Sequence, residues 1–324
     1  RQQGHLDRGR QTMSMLSRVA ERLYWMARYL ERTEVTARLC NAYSQLILDI
    51  PKGSALGWET LITIVNGDNL YHKRYTIVGE RNILKFMIMD LDNSGSVCSS
   101  VKAARENVRT TRDVLPGELW ELINEFYMFV DESAEKTLVR RSRFDFLHEV
   151  IARCQQINGL IESAVSRDHA YSFLKMGRLI ERSDMTSRTI DTAVASVLNH
   201  QSEEKPDFTL VWAGLLKSLS ASSAYRREIG PMVDGDDVFD FLFRNGSFPR
   251  SVYFCLLGIE EVLSQLKNND AVSEQLDNTI EMVLEIEAGQ TSLKDKHQLI
   301  DKLQKQLIGL NNLIADTWFD METK

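Results

Sequence analysis

The sequence predicts an all-α protein made of two internally repeated helical-bundle halves, related by a pseudo-two-fold and packed into one globular unit. Three observations point there: few chain-breaking residues, a long apolar period of helical spacing, and a charged motif that occurs twice. Gly (17) and Pro (5) are scarce for 324 residues. Sandwiches, barrels and doubly wound sheets need a turn every few residues and use more of both. Hydrophobic residues at 43% suffice for a core, and charged residues at 26% for a wet surface.

The first periodic segment runs from Met15 to about Ile50, where Pro51 cannot continue a helix. Leu16, Val19, Leu23, Met26 and Leu30 follow steps of three and four, the signature of one apolar stripe, and Ala37 extends it. Residues 1–14 are polar and lack an apolar h-region, so they are read as a tag or linker and not as a secretory signal. Further helices are expected near 94–113, 117–134 and 141–165, with Pro116-Gly117 dividing the first two. In the second half they are expected at about 168–199, 207–222, 236–245, 248–267, 271–288 and 294–318, giving bundles of about five helices each. Asn93-Ser94 and Ser247 are the expected caps of the helices that follow them. The stretch 66–80 is ambiguous, because Thr76-Ile77-Val78 has strand composition but stands alone.

Self-comparison supplies the domain organisation. WMARYLERTEVTAR (Trp25 to Arg38) and KMGRLIERSDMTSR (Lys175 to Arg188) share six of fourteen residues at an offset of 150. Trp58/Trp212 and Tyr71/Tyr225 follow at 154, then Phe86/Phe241, Ser96-Val97/Ser251-Val252 and Glu106/Glu261 at 155. A period this long marks a duplicated domain-sized unit and not a solenoid. The halves are placed at 15–165 and 166–324.

On a helical wheel Arg28, Arg32 and Thr36 lie opposite the apolar stripe, with Glu31 and Arg38 flanking them. Packing of that stripe therefore does not explain why both halves carry them. Three readings stay open. In an ion-pair network, Glu31 would meet Arg178 or Arg182 across the two long helices, and Glu181 would meet Arg28 or Arg32. In an anion-binding cleft, Arg28, Arg32, Arg38, Arg178, Arg182 and Arg188 would outnumber Glu31, Glu34, Glu181 and Asp184. The third is a solvated charged face. Trp58/Trp212 and Tyr71/Tyr225 read as core anchors, although Tyr225, Arg226 and Arg227 together could serve a ligand.

Other chemistry is not signalled. Cys40, Cys98, Cys154 and Cys255 are scattered, form no C-x-x-C pair and are expected to be reduced thiols, as in the cytoplasm. The six histidines make no H-E-x-x-H, and the run Asp234-Gly235-Asp236-Asp237 lacks the rest of an EF-hand loop, so it reads as a turn with a helix cap. No metal and no cofactor is expected. Phosphate-loop, dinucleotide and nucleophile-elbow patterns are missing. The net charge of −7 gives no general attraction to nucleic acid, and no apolar run is long enough for a membrane span.

Several segments together resemble the bacterial alpha-E domain family. They are MLSRVAERLYWMARYLERTEVTARL, SRDHAYSFLKMGRLIERSDMTSR and VWAGLLKSLSASSAYRR, with FMIMDLDNSGSV, ARENVRTTRD and LWELIN between the first two. The resemblance covers nearly all of 15–320 and places the family's Glu-Arg signatures on Glu31-Arg32 and Glu181-Arg182, with Arg28 and Arg178 beside them. One departure is Ser94-Gly95 in the first half, where the family often has a proline; the second half keeps Pro249. The resemblance implies an all-helical fold and no established activity. It also implies association with circularly permuted ATP-grasp ligase-like proteins and with transglutaminase-like peptidases. The expectation is a non-catalytic accessory protein of an amide or peptide ligase system, docking the ligase or presenting a carboxylate to it. The alternatives are an enzyme that uses the Arg/Glu seam and a structural module that forms homo-oligomers.

Overall fold

Two long helices pack along each other at the centre, and every other layer is laid around that pair. The computed structural model describes residues 3–49, 57–199, 208–286 and 288–319; side chains are described from Ser17 onward, save those of 48, 49 and 288. Among the described residues there are fourteen α-helices and no strand. The central helices are α1 (Gln3–Asp49) and α8 (His169–Asn199). Helices α5 (Val97–Arg109) and α7 (Arg140–Ala164) pack on α1, with α6 (Gly117–Ser133) closing against both. Helices α12 (Val252–Leu263) and α14 (Leu293–Trp318) pack on α8, with α13 (Asp270–Leu284) closing against both.

Short helices fill the remaining faces. They are α2 (Glu59–Ile64), α3 (Asp68–Arg74) and α4 (Glu80–Ile88), then α9 (Thr209–Ser218), α10 (Ser222–Glu228) and α11 (Gly235–Arg244). Helix α2 lies on α8, whereas α9 lies against both α1 and α8. Surrounded in this way, α1 is buried on its charged face as well as on the stripe of Leu23, Met26 and Leu30. The two long helices approach so closely at Gly177 that a Cβ there would overlap the carbonyl oxygen of Tyr24.

Several expectations need correction. Helix α1 already runs at Gln3 rather than starting at Met15, since no proline interrupts that stretch. The side chains of the expected linker lie outside the described residues, as do Ile50 and Pro51. Caps come from Ser96 and Ser251, whose extended backbones let each Oγ accept from the N–H three residues on (Ser99 at 3.1 Å, Phe254 at 3.2 Å). Asn93 instead shapes the preceding turn by accepting from Gly95 N–H, and the Ser247 N–H is spent on Asn245 Oδ1. The helix read over 207–222 is two helices, broken where Ser220 takes φ +54°. Thr76-Ile77-Val78 forms no strand, because an isolated run finds no partner; Ile77 projects into solvent while its carbonyl accepts from Tyr71 OH at 3.0 Å. Each long-helix set thus carries more helices than the five expected, the additions being too short to show a period.

Gly177→Ala is expected to destabilise the protein by about 1–3 kcal/mol, because the overlapping atom is backbone and cannot swing away. Gly159→Ala, on the exposed face of α7 with open space around it, is expected to stabilise by about 0.5–1 kcal/mol through helix propensity. Urea unfolding of the two variants checks both signs.

Candidate functional site

The seam between α1 and α8 holds two carboxylates with almost no contact with water. Glu31 is fully buried and Glu181 is 1% exposed. Each is clamped from the opposite helix. Arg182 donates in parallel to Glu31, Nε to Oε1 and Nη2 to Oε2, both at 2.7 Å. Arg32 donates to Glu181 from Nε at 2.5 Å and Nη2 at 3.0 Å, and Arg28 Nε adds a third bond at 2.8 Å. Such forks match guanidinium to carboxylate geometry, which a lysine could not do. The crossed pattern expected of an ion-pair network is present, with Arg182 as the partner of Glu31 and both Arg28 and Arg32 as partners of Glu181.

The two ends of the seam differ in their surroundings. At the Glu181 end, Asn311 of α14 closes the circuit: its Oδ1 accepts from Arg28 Nη1 at 2.5 Å and from Tyr24 OH at 2.8 Å. The Arg28 guanidinium also lies 4.8 Å from the Trp25 ring. At the Glu31 end a further arginine enters. Arg250, just before α12, donates from Nη1 to Glu31 at 3.1 Å and from Nη2 to Glu34 at 2.6 Å. Arg38 holds the same Glu34 oxygen and reaches Ser220 Oγ at 2.6 Å. Arg178 turns outward to Glu162 of α7, at 2.5 Å. Between them is a cavity of about 350 Å³, walled by Arg38, Arg178, Arg182 and Arg250 on one side and by Leu219 and Phe248 on another. A larger cavity of about 670 Å³, near Val19, Leu23, Phe173 and Trp318, is mainly apolar and holds none of the repeated charges.

Burial alone would raise the pKa of Glu31, but Arg182 and Arg250 outweigh it and bring it from 4.5 down to about 2. Burial likewise opposes ionisation of Glu181, and Arg32 and Arg28 again win, so its pKa is lowered. Arg250 goes the other way: burial, with Arg182 and Arg38 nearby, lowers its pKa despite Glu31 and Glu34. A carboxylate this acidic is a poor general base near neutrality.

The remaining predicted residues lie away from this centre. Arg188 pairs locally with Asp184 at 2.9 Å, one turn away on the same helix. Tyr225 is buried, with its hydroxyl donating to Met232 O at 3.1 Å, while Arg226 and Arg227 are exposed on α10; the three do not converge on a site. Trp212, Tyr71 and Tyr225 are core residues, and Trp58 is half-buried. Asp234 caps α11 by accepting from the N–H groups of Asp236 and Asp237. The sequence reading missed Arg250, Glu162 and Asn311, and also a group of Asp191, His297 and Asp301 whose ligand atoms lie within 4.8 Å of one another. His297 Nδ1 there is already paired with Asp191 at 2.5 Å, and more than a hundred residues separate the two in sequence, so no spacing announces the group.

The fold and the seam define an all-helical scaffold centred on crossed Glu–Arg clamps. The chain belongs to the Alpha-E family, described as "a predicted alpha-helical domain with a conserved ER motif", whose model matches residues 15–319. Similar proteins include uncharacterised proteins of Mycobacterium bovis and Mycobacterium tuberculosis, each 20% identical over 277 residues, which is 79% of this chain. The chain spans 30% of the length of these relatives. No solved structure matches it. Among the described residues, no helix is long and apolar enough to cross a membrane.

Two outcomes follow from the clamps. Arg182→Ala removes the two-pronged clamp of Glu31 and leaves Arg250 as its guanidinium partner, at an expected cost of about 3 kcal/mol; adding Glu31→Gln is expected to recover part of that loss, a non-additivity measurable in a double-mutant cycle by denaturant unfolding. The second concerns pH. Because Glu31 and Glu181 have lower pKa values folded than unfolded, the stability they supply is complete above about 4.5 and drains away as pH falls below it, toward about 2 in the case of Glu31. Urea midpoints should therefore fall on acidification through that window, and less steeply in Glu31→Gln relative to its own value near neutrality.

Proposed function

We propose that this protein is a non-catalytic helical accessory module of an amide or peptide ligase system, built from two copies of one unit at 15–165 and 166–324. The observation that carries it is the state of the Glu-Arg motifs. Both glutamates are buried, ionised and clamped, and so serve as structure where an enzyme would need an available base. The duplication is supported by parallel roles at matched positions. Ser96 and Ser251 cap α5 and α12, Tyr71 and Tyr225 tie down the carbonyls of Ile77 and Met232, and Thr36 and Thr186 donate to the carbonyls of Gly95 and Arg250.

The partner is an ATP-grasp ligase-like protein, with a transglutaminase-like peptidase as a further companion. Family resemblance motivates this, and the greater length of the mycobacterial relatives suits a helical unit that works beside other domains. The surface offers fitting contacts. Ile77 is 69% and Met232 is 81% exposed, each in a short loop whose backbone is fixed from below by a buried tyrosine. Rigid apolar tips lose little freedom on docking.

Co-purification with the ATP-grasp ligase-like protein of the same organism tests the reading. The two chains are expected to elute together, and Ile77→Ser with Met232→Ser to weaken the association at unchanged thermal stability. Absence of association, with ligase activity indifferent to the helical chain, would contradict it.

A further inference from the structure

The two ends of the seam are chemically unequal, and the inequality points to a ligand. At the Glu181 end every guanidinium has somewhere to go, because Asn311 and Tyr24 complete the circuit of Arg28. The repeat aligns Arg28 with Arg178 and Tyr24 with Leu174, whose side chain cannot hydrogen-bond. Arg178 is correspondingly incomplete: its Nε is buried and has no hydrogen-bond partner among the described residues. Asn158 of α7 stands 153 residues before Asn311, within the offset range of the repeat. It lines the cavity together with Arg178. One end is closed by Asn311 and Tyr24, whereas the other opens on a space of about 350 Å³ lined by Asn158 and four arginines. That is ligand-sized.

We propose that this cavity binds an organic carboxylate with an apolar substituent, the chemistry of a peptide C-terminus ending in an apolar residue. Charge sets the sign of the ligand. Five guanidinium groups (Arg38, Arg167, Arg178, Arg182 and Arg250) meet three carboxylates (Glu31, Glu34 and Glu162), so this end carries an excess of positive charge that favours an anion. Geometry sets its position. Arg182 spends its Nε and Nη2 on Glu31, so only Nη1 is left, and that has a long 3.3 Å contact with Pro249 O. Arg178, whose Nη2 is spent on Glu162 while Nη1 is not, and the Asn158 amide supply further donors. Leu219, Phe248 and Pro249 form a wall that would cover an apolar group and has nothing to offer a phosphate. Arg250 makes this end distinctive, since the repeat puts Gly95 in its place in the first half. The proposal extends the accessory reading, on which it rests only for what the held carboxylate is presented to.

Calorimetric titration of the isolated chain near neutral pH provides the test, with N-acetyl-L-leucine, its uncharged amide N-acetyl-L-leucinamide, and inorganic phosphate as probes. The carboxylate is expected to bind and the amide not. Arg178→Gln and Asn158→Leu should each weaken binding roughly tenfold or more, the loss of a hydrogen bond to a charged group. Asn158→Leu breaks no ion pair, so its melting temperature should equal the parent's and its loss of binding reads the site alone. Absence of carboxylate binding, equal binding of acid and amide, tighter binding of phosphate, or binding untouched by Asn158→Leu would each overturn the proposal. No ligase enters the experiment, so its outcome is independent of the co-purification result.

Discussion

Two ionised glutamates buried between the longest helices are the constraint on which the rest of this structure depends. A carboxylate taken out of water costs several kcal/mol, and only well-matched partners can offset it. Glu31 and Glu181 find theirs on the opposite helix, Arg182 in one direction and Arg28 with Arg32 in the other. A shift of one residue between the helices would strand both charges at once. The clamps therefore fix the register of α1 against α8 more firmly than an apolar interface would, and the close contact at Gly177 sets the separation. Helix α2 packs on α8, and α9 packs on both α1 and α8, so the short helices tie the two long ones together.

The same constraint shapes what the protein can do. Arginines that make Glu31 strongly acidic remove it as a base and leave a field that favours bound anions. The Glu181 end is closed by Asn311 and Tyr24, whereas the Glu31 end gains Arg250 and keeps a cavity. The matched sequence positions that differ between the two ends are few, among them Tyr24/Leu174 and Gly95/Arg250.

Much of this was legible in the sequence. The apolar stripe of α1 and the scarcity of glycine and proline give the all-α class, and the repeat of the Glu-Arg motif marks the charges that could cross the seam, leaving open whether Arg178 or Arg182 meets Glu31. Most boundaries of the long helices emerge within a few residues, the start of α1 at Gln3 instead of Met15 being the exception, whereas α2, α3, α4 and α10 are too short for a period to register. The caps show a subtler failure. Ser96 and Ser251 stand in the sequence as a repeated pair, yet the caps expected were Asn93-Ser94 and Ser247 just upstream, and backbone direction, which the sequence does not display, decides for the former. Arg250 escaped because self-comparison finds what two halves share, and Arg250 is what they do not. Glu162 and Asn311 escaped because their roles arise from helices that meet only in three dimensions.

Whether both seam carboxylates are ionised and clamped is the question that decides the account, and it can be answered at the atoms concerned. With ¹³C-labelled glutamate and the resonances of Glu31 and Glu181 assigned by Gln substitution, carboxyl NMR shifts can be followed on acidification. The account predicts that neither resonance titrates at the ordinary 4.5, and that both stay ionised until the fold itself gives way. Titration of either residue at or above 4.5 in the folded protein would mean an available, unclamped carboxyl group, and would contradict a structural seam in favour of a catalytic one.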